Sequence, residues 1–244
     1  MRSNLCRFFD PESETLFYFG LDLGQSRDYT AWSIVQRCSG IPPIYHVRSL
    51  KRFPLGTSYM DIVKIVKTTT KHPNIQPNIL IVDNTGVGTA ISDLFREEKL
   101  DFLPITITGA NRVTKDGRDI RVPKRDLVST LQILLQTKRL KIAGDLHEAQ
   151  TLIDELLNFQ VKISLSGHDT YGAWREGTND DLVLATSLAC WASEKRLLPK
   201  GLRNPRPSSG RKPLYVDNSA TAHLLKKSSR FFDKNKTFRV TLLS

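Results

Sequence analysis

Between positions 16 and 194 short apolar runs alternate with segments of helical periodicity. Residues 16–23 form an aromatic and aliphatic run of strand length, and residues 29–36 and 43–50 follow after polar turns. Three short-linked strands of this kind predict an antiparallel meander. Over residues 58–70 the apolar positions Met60, Ile62, Val63, Ile65 and Val66 recur at helical spacing. Residues 79–82 are a four-residue apolar run that stops at Asp83, as a buried strand would. A helix over residues 86–98 and a strand over 102–107 come next. Residues 123–137 predict a strong helix, with proline at the start and Leu127, Leu131, Leu134 and Leu135 on one face. The series closes with a helix over 146–157, a strand over 159–164 and a helix over 180–194. Later strands separated by helices are parallel crossovers by default. The predicted fold class is therefore α/β: a mixed sheet, a three-strand meander plus parallel strands, flanked by helices.

Composition sharpens the outline at both ends. Residues 1–15 are a polar lead-in, and Asp10, Glu12 and Glu14 stand where a signal peptide needs an apolar core. Residues 197–244 contain Pro205, Pro207, Pro213 and a Ser208-Ser209-Gly210 turn former, the composition of a linker and flexible arm. The expected organisation is thus a lead-in over 1–15, one domain over 16–196 and a tail over 197–244. The formal charge is +11, of which residues 200–244 carry +9 and residues 1–199 only +2. Such a tail favours a polyanionic partner, because phosphate neutralisation releases counterions. No stretch approaches the ~18 apolar residues of a membrane span; residues 182–192 are shorter and include Thr186 and Ser187. Cys6, Cys38 and Cys190 are too few and too far apart for a disulfide framework or a cysteine zinc site. The expectation is a cytoplasmic protein with no membrane partner.

The candidate chemistry lies where acids end apolar segments. Asp22 is embedded in Phe19-Gly20-Leu21-Asp22-Leu23-Gly24, where an ionised carboxylate is costly unless something compensates it. Asp83 ends the run Ile79-Leu80-Ile81-Val82, and Asp180 and Asp181 open an apolar helix. Each has an ordinary reading too, Asp83 as a turn acid and Asp180 as a helix cap. Asp22 has no capping task between two leucines. Strand ends and a helix start can converge in such a sheet, and clustered carboxylates suit Mg²⁺ or Mn²⁺ through all-oxygen ligation. Two such ions, ~3.5–4 Å apart, can hydrolyse a phosphodiester. In that scheme Asp22 bridges both ions, Asp83 binds one, Asp180 or Asp181 the other, and Asp28 is an outer ligand.

Gly20-Leu21-Asp22-Leu23-Gly24-Gln25-Ser26-Arg27-Asp28-Tyr29-Thr30-Ala31, Val82-Asp83-Asn84-Thr85-Gly86-Val87-Gly88 and Asn179-Asp180-Asp181-Leu182-Val183-Leu184-Ala185 resemble the nuclease domain of tailed-phage terminase large subunits. The resemblance spans residues 16–196. It implies a ribonuclease-H-like fold, metal-dependent cutting of concatemeric double-stranded DNA during genome packaging, and Asp22, Asp83 and the Asp180–Asp181 pair as catalytic metal ligands. It also implies a bacterial host or prophage setting. Complete terminase subunits carry an ATPase motor as well, and no G-x-x-x-x-G-K-[ST] occurs here. A separate packaging motor, a small terminase subunit or a portal are the expected partners.

For DNA contact the expected residues are Arg112 and Lys115, in a mobile basic loop over 109–121, Lys124 and Arg125 at a helix start, and Arg175. His168 and Trp174 lie in an expected hairpin over 166–177. Two other classes of function stand beside the nuclease. An actin-like or sugar-kinase nucleotide site would use residues 22–26 and 86–88 as phosphate loops, and a catalytically inactive DNA-binding module would keep the fold without the chemistry. A transposase or resolvase of the same fold is a further variant of the enzyme reading.

Overall fold

The computed structural model describes residues 15–24, 28–85, 88–163, 169–173, 179–197 and 242–243. Strands β1 (Leu16–Asp22), β2 (Ala31–Cys38) and β3 (Ile44–Arg52) form the expected antiparallel meander. On its other side β1 pairs in parallel with β4 (Asn78–Asp83), which pairs in parallel with β5 (Phe102–Thr108). Beyond β5 lies a hairpin of β6 (Thr114–Asp116) and β7 (Asp119–Pro123), with β7 parallel to β5. At the opposite edge β8 (Leu140–Ala143) runs parallel to β3. β9 (Phe159–Ile163) and β10 (Asp169–Ala173) form a separate two-stranded ribbon. The short β11 (Leu242–Leu243) pairs in parallel with β8. The sheet order is β11-β8-β3-β2-β1-β4-β5-β7-β6. In consequence β8, β3, β1, β4, β5 and β7 all point the same way, and their carboxyl ends share one edge.

Helices cover both faces, which is why β1 is apolar at consecutive rather than alternate positions. Phe17, Phe19 and Leu21 face α1 (Tyr59–Thr70) and α2 (Gly88–Glu97), in a core with Trp32, Ile34, Val63, Val66, Ile91 and Phe95. Leu16 and Tyr18 face the other way, toward α3 (Lys124–Gln136), α4 (Ala149–Asn158) and α5 (Asp181–Glu194). The start of α1 follows from its cap: the Ser58 hydroxyl accepts from the Asp61 amide at 3.2 Å.

Helix α5 is apolar all round, and every residue from Asp181 to Ser193 is buried. It lies between the sheet and α3 and α4, in direct contact with β1. A Cβ at Gly20 would stand 2.0 Å from the Ala185 carbonyl oxygen and 3.0 Å from the Ala189 amide nitrogen. The far end of α5 is fixed by Glu194, which accepts from Arg139 Nη2 at 2.6 Å and from the Tyr45 hydroxyl. Among the described residues no helix is long and apolar enough to cross a membrane.

The structure corrects two expectations. The basic segment 109–121 is not a loop throughout: residues 114–123 turn at Gly117-Arg118 to make the β6–β7 hairpin. Asp116-Gly117 is a turn signal, with Gly117 at φ +59°, and Ile120 pairs with Ile105 while Val122 joins the core. Two inward residues are too short a pattern to stand out among so many charges. The strand β8 is an addition to the expected order, and at four residues it is too short to carry a periodic signal of its own. Most of 197–244 lies outside the described residues, but Leu242–Leu243 is an edge strand.

Gly20→Ala is expected to destabilise the protein by about 1–3 kcal/mol through overpacking against α5. Gly109→Ala, with nothing within 4 Å of its added methyl, is the matched control. Urea or thermal unfolding of the two variants checks the contrast.

Candidate active site

The period of two along a strand decides which acids meet. Asp22 shares the face of Tyr18 and Gly20, and Asp83 that of Ile81, so both point to the α5 side at the carboxyl edge. Arg52, two residues after the core residue Leu50, lies on that face as well. Because α5 rests on Gly20, its first residue, Asp181, arrives at the same edge. The Asp22 and Asp83 carboxyls are near enough to perturb each other. Burial, followed by the charges of Asp83, Asp180 and Asp181, holds the Asp22 carboxyl well above the usual carboxylate range, against the pull of Lys124. Asp83 and Asp181 are raised by burial too, with Thr85 and Arg52 respectively opposing the shift.

Each acid has its own support. Asp83 Oδ1 accepts from the Thr85 amide at 2.8 Å, so the expected turn role and the site position belong to the same residue. Asp180 occupies the cap position of α5, yet its side chain makes no cap bond. Instead its Oδ2 stands 3.1 Å from Lys124 Nζ. Asp181 receives Arg52 Nε on one oxygen at 2.8 Å and Nη2 on the other at 3.3 Å. The same Nη2 donates to Glu155 Oε1, while Glu155 Oε2 accepts from the Val183 amide at 3.0 Å. The Arg52 guanidinium also lies 4.7 Å from the centre of the Tyr29 ring. Burial, reinforced by Asp181, pushes Glu155 up to about 8 despite its arginine partner.

The edge therefore gathers the carboxyl groups of Asp22, Asp83, Glu155, Asp180 and Asp181 around two cations, Arg52 and Lys124. The donor set is all carboxylate oxygen with negative charge in excess, which suits a hard divalent cation. Among the described residues no three His, Cys, Asp or Glu side chains close into one coordination shell. Arg52 engages both oxygens of Asp181, and Lys124 engages Asp180.

The remaining expected residues are spread around this edge. Asp28 is exposed and, with Gly24, Thr30, Phe53 and Tyr59, lines a cavity of about 280 Å³. Lys124 is part of the acid cluster, whereas Arg125 donates to Asn111 Oδ1 at 3.1 Å and to its carbonyl at 2.6 Å. Lys115 is exposed within β6 of the hairpin rather than in a loop, and Arg112 is exposed just before it. Arg175, His168 and Trp174 lie outside the described residues. Arg52 and Glu155 join the site without being among the residues expected from the sequence. Glu155 does carry a signal, a carboxylate within the apolar stripe of Leu152, Ile153 and Leu156.

Arg52→Met leaves Glu155 and Asp181 buried without their cation and is expected to cost about 3–5 kcal/mol in chemical unfolding. The pH dependence has a definite sign. Glu155 keeps a proton in the folded state that the unfolded chain has lost between its ordinary 4.5 and about 8. Stability without divalent metal should therefore fall as pH rises through that window. Thermal melts in EDTA test this, and Glu155→Gln should flatten the profile.

No protein-family model matches the chain. In sequence it is 23% identical over 180 residues to the terminase large subunit of Thermus phage G20c, covering 74% of this chain and 32% of that protein. The chain thus spans about a third of the length of the curated relatives it matches. In structure it resembles the large terminase nuclease of phage G20c with bound magnesium, at a TM-score of 0.54 and 23% identity, over 72% of this chain and 80% of that one. It also resembles the large terminase nuclease domain of Thermus phage P74-26, at a TM-score of 0.51 and 21% identity, over 72% and 78% of the two chains. The expected resemblance holds in fold and in sequence: the body of this chain has the ribonuclease-H-like fold of the phage large-terminase nuclease domains.

Proposed function

We propose that the protein is a metal-dependent endonuclease that cuts double-stranded DNA in phage genome packaging. The observation that carries this reading is the excess of carboxylates over cations at the carboxyl edge of the sheet. Asp22 and Asp83, with Asp180 and Asp181, would hold two Mg²⁺ or Mn²⁺ ions, and Asp28 is an outer candidate. Bound there, such ions activate water and stabilise the leaving oxygen of a phosphodiester. The chain's own residues prepare the site. The Thr85 amide orients Asp83, Arg52 fixes Asp181, and Lys124 offsets part of the charge on Asp180. Asp180, with the looser cation contact, is the freer member of its pair to ligate metal. No G-x-x-x-x-G-K-[ST] occurs in the 244 residues, so the motor belongs to a partner or to another region of a longer protein. A small terminase subunit or a portal would complete the packaging complex.

Cleavage of supercoiled and linear duplex DNA with Mn²⁺, Mg²⁺ or EDTA tests the proposal. Metal-dependent cutting is expected, with Asp22→Asn and Asp83→Asn losing more than the roughly 10–100-fold typical of an outer-shell change. In EDTA, Asp22→Asn should raise the melting temperature, by about 2–4 °C per kcal/mol of repulsion relieved. Wild-type protein that binds DNA but never cuts it with either metal would refute the nuclease.

A further inference from the structure

Among the described residues, the apolar core beneath α1 and α2 occupies only part of that face of the sheet. It draws on β1, β2, β4 and β5 and on Phe53 just past β3, but takes no residue from within β3 or β8. On the part outside this core stand the buried His46, the exposed Arg48 and the half-buried Ser49 and Lys51 of β3, with the half-buried Lys141 of β8. Val47 and Leu50 point the opposite way, into the core beneath α5.

One irregularity in β3 creates this arrangement. Ser49 faces Ile34 and Val47 faces Val35, which leaves Arg48 as an extra, unpaired residue. A bulge of this kind re-aims a side chain. Arg48 is turned outward and exposed, and its Nε donates to Gln36 Oε1 at 2.6 Å. His46 sits opposite Lys141 in the register. Burial, and after it the charges of Arg48 and Lys141, lower the pKa of His46, so the three groups are close neighbours. Lys51 continues the line, its ammonium 5.3 Å from the Trp32 ring and 5.1 Å from the Phe53 ring.

Among the described residues no carboxylate lies within ion-pair distance of Arg48, Lys51 or Lys141, whereas Lys67, Arg96, Arg118 and Arg139 each have one. The line runs along β3 toward the carboxyl edge, on the face opposite the one to which Arg52 and the acids point. At ~3.3 Å per residue it spans roughly 16 Å from His46 to Lys51, about half of the ~34 Å turn of B-DNA. An edge with excess carboxylate repels a polyanion, so a duplex held near it needs cations close by.

We infer that the basic line on β3 and β8 is a phosphate-backbone track, on which Lys141, Arg48 and Lys51 hold double-stranded DNA leading to the acid edge. The destination of that track rests on the nuclease reading; the binding surface itself does not.

The test is DNA affinity in EDTA over a series of KCl concentrations, using the full chain. The variant R48Q/K51Q/K141Q is compared with K64Q/K71Q/K99Q, which removes the same charge from the α1–α2 layer, and melting curves confirm that both are folded. The track variant is expected to weaken binding at least tenfold and to lower the slope of log affinity against log salt by about 2–3, near 0.9 for each lost phosphate contact. The control should keep most of the affinity and slope. Equal losses in the two variants, or no binding by the wild type, would overturn the track. Tight binding through the track without cleavage would leave it standing while refuting the nuclease. Cleavage with normal binding by the track variant would do the reverse.

Discussion

Helix α5 can rest on the central strand only because residue 20 has no side chain. The approach is so close that even a methyl group would meet the Ala185 carbonyl. This contact sets the height of α5 above β1, and so brings Asp181, at the start of the helix, to the place where β1 ends in Asp22. The rest of the edge is arranged around that meeting. β4 lies beside β1 in parallel and ends in Asp83. On the other side, beyond β2, β3 ends in Arg52. A helix buried on every side is well suited to the task, since it has no solvent face to dictate another orientation.

The acid edge is electrostatically costly, and two cations moderate it. Arg52 matters most, because it engages both oxygens of Asp181, reaches Glu155 and lies over Tyr29. Glu155 accepts a bond from the Val183 amide, so the arginine, the glutamate and the first turn of α5 form one closed network. A fixed geometry of this kind presents carboxylates without first having to order them. The acids nearby are raised chiefly by burial, and Asp22 also by the charges of its neighbours.

Much of this is legible in the residues. The aromatic and aliphatic run ending in Asp22, the β-branched run ending in Asp83 and the apolar helix opened by Asp180 and Asp181 all stand out, because a charge within an apolar segment is costly and therefore conspicuous. The elements that escape are weak in pattern. β8 is four residues long, and β7 has only Ile120 and Val122 to mark it among charged neighbours. Arg52 escapes for another reason, since a basic residue at the end of a mixed strand looks like any surface arginine.

By itself, then, the sequence determined the meander, the helices and the acids that end apolar segments, because periodicity and the cost of burying charge act along the chain. The tertiary structure alone decided which charges meet. Strand order placed β3, β1 and β4 with their carboxyl ends together, the contact at Gly20 set α5 against them, and the bulge at Arg48 turned a base outward on the face opposite α5. Those outcomes depend on pairing partners far apart in the chain, and no local pattern encodes them.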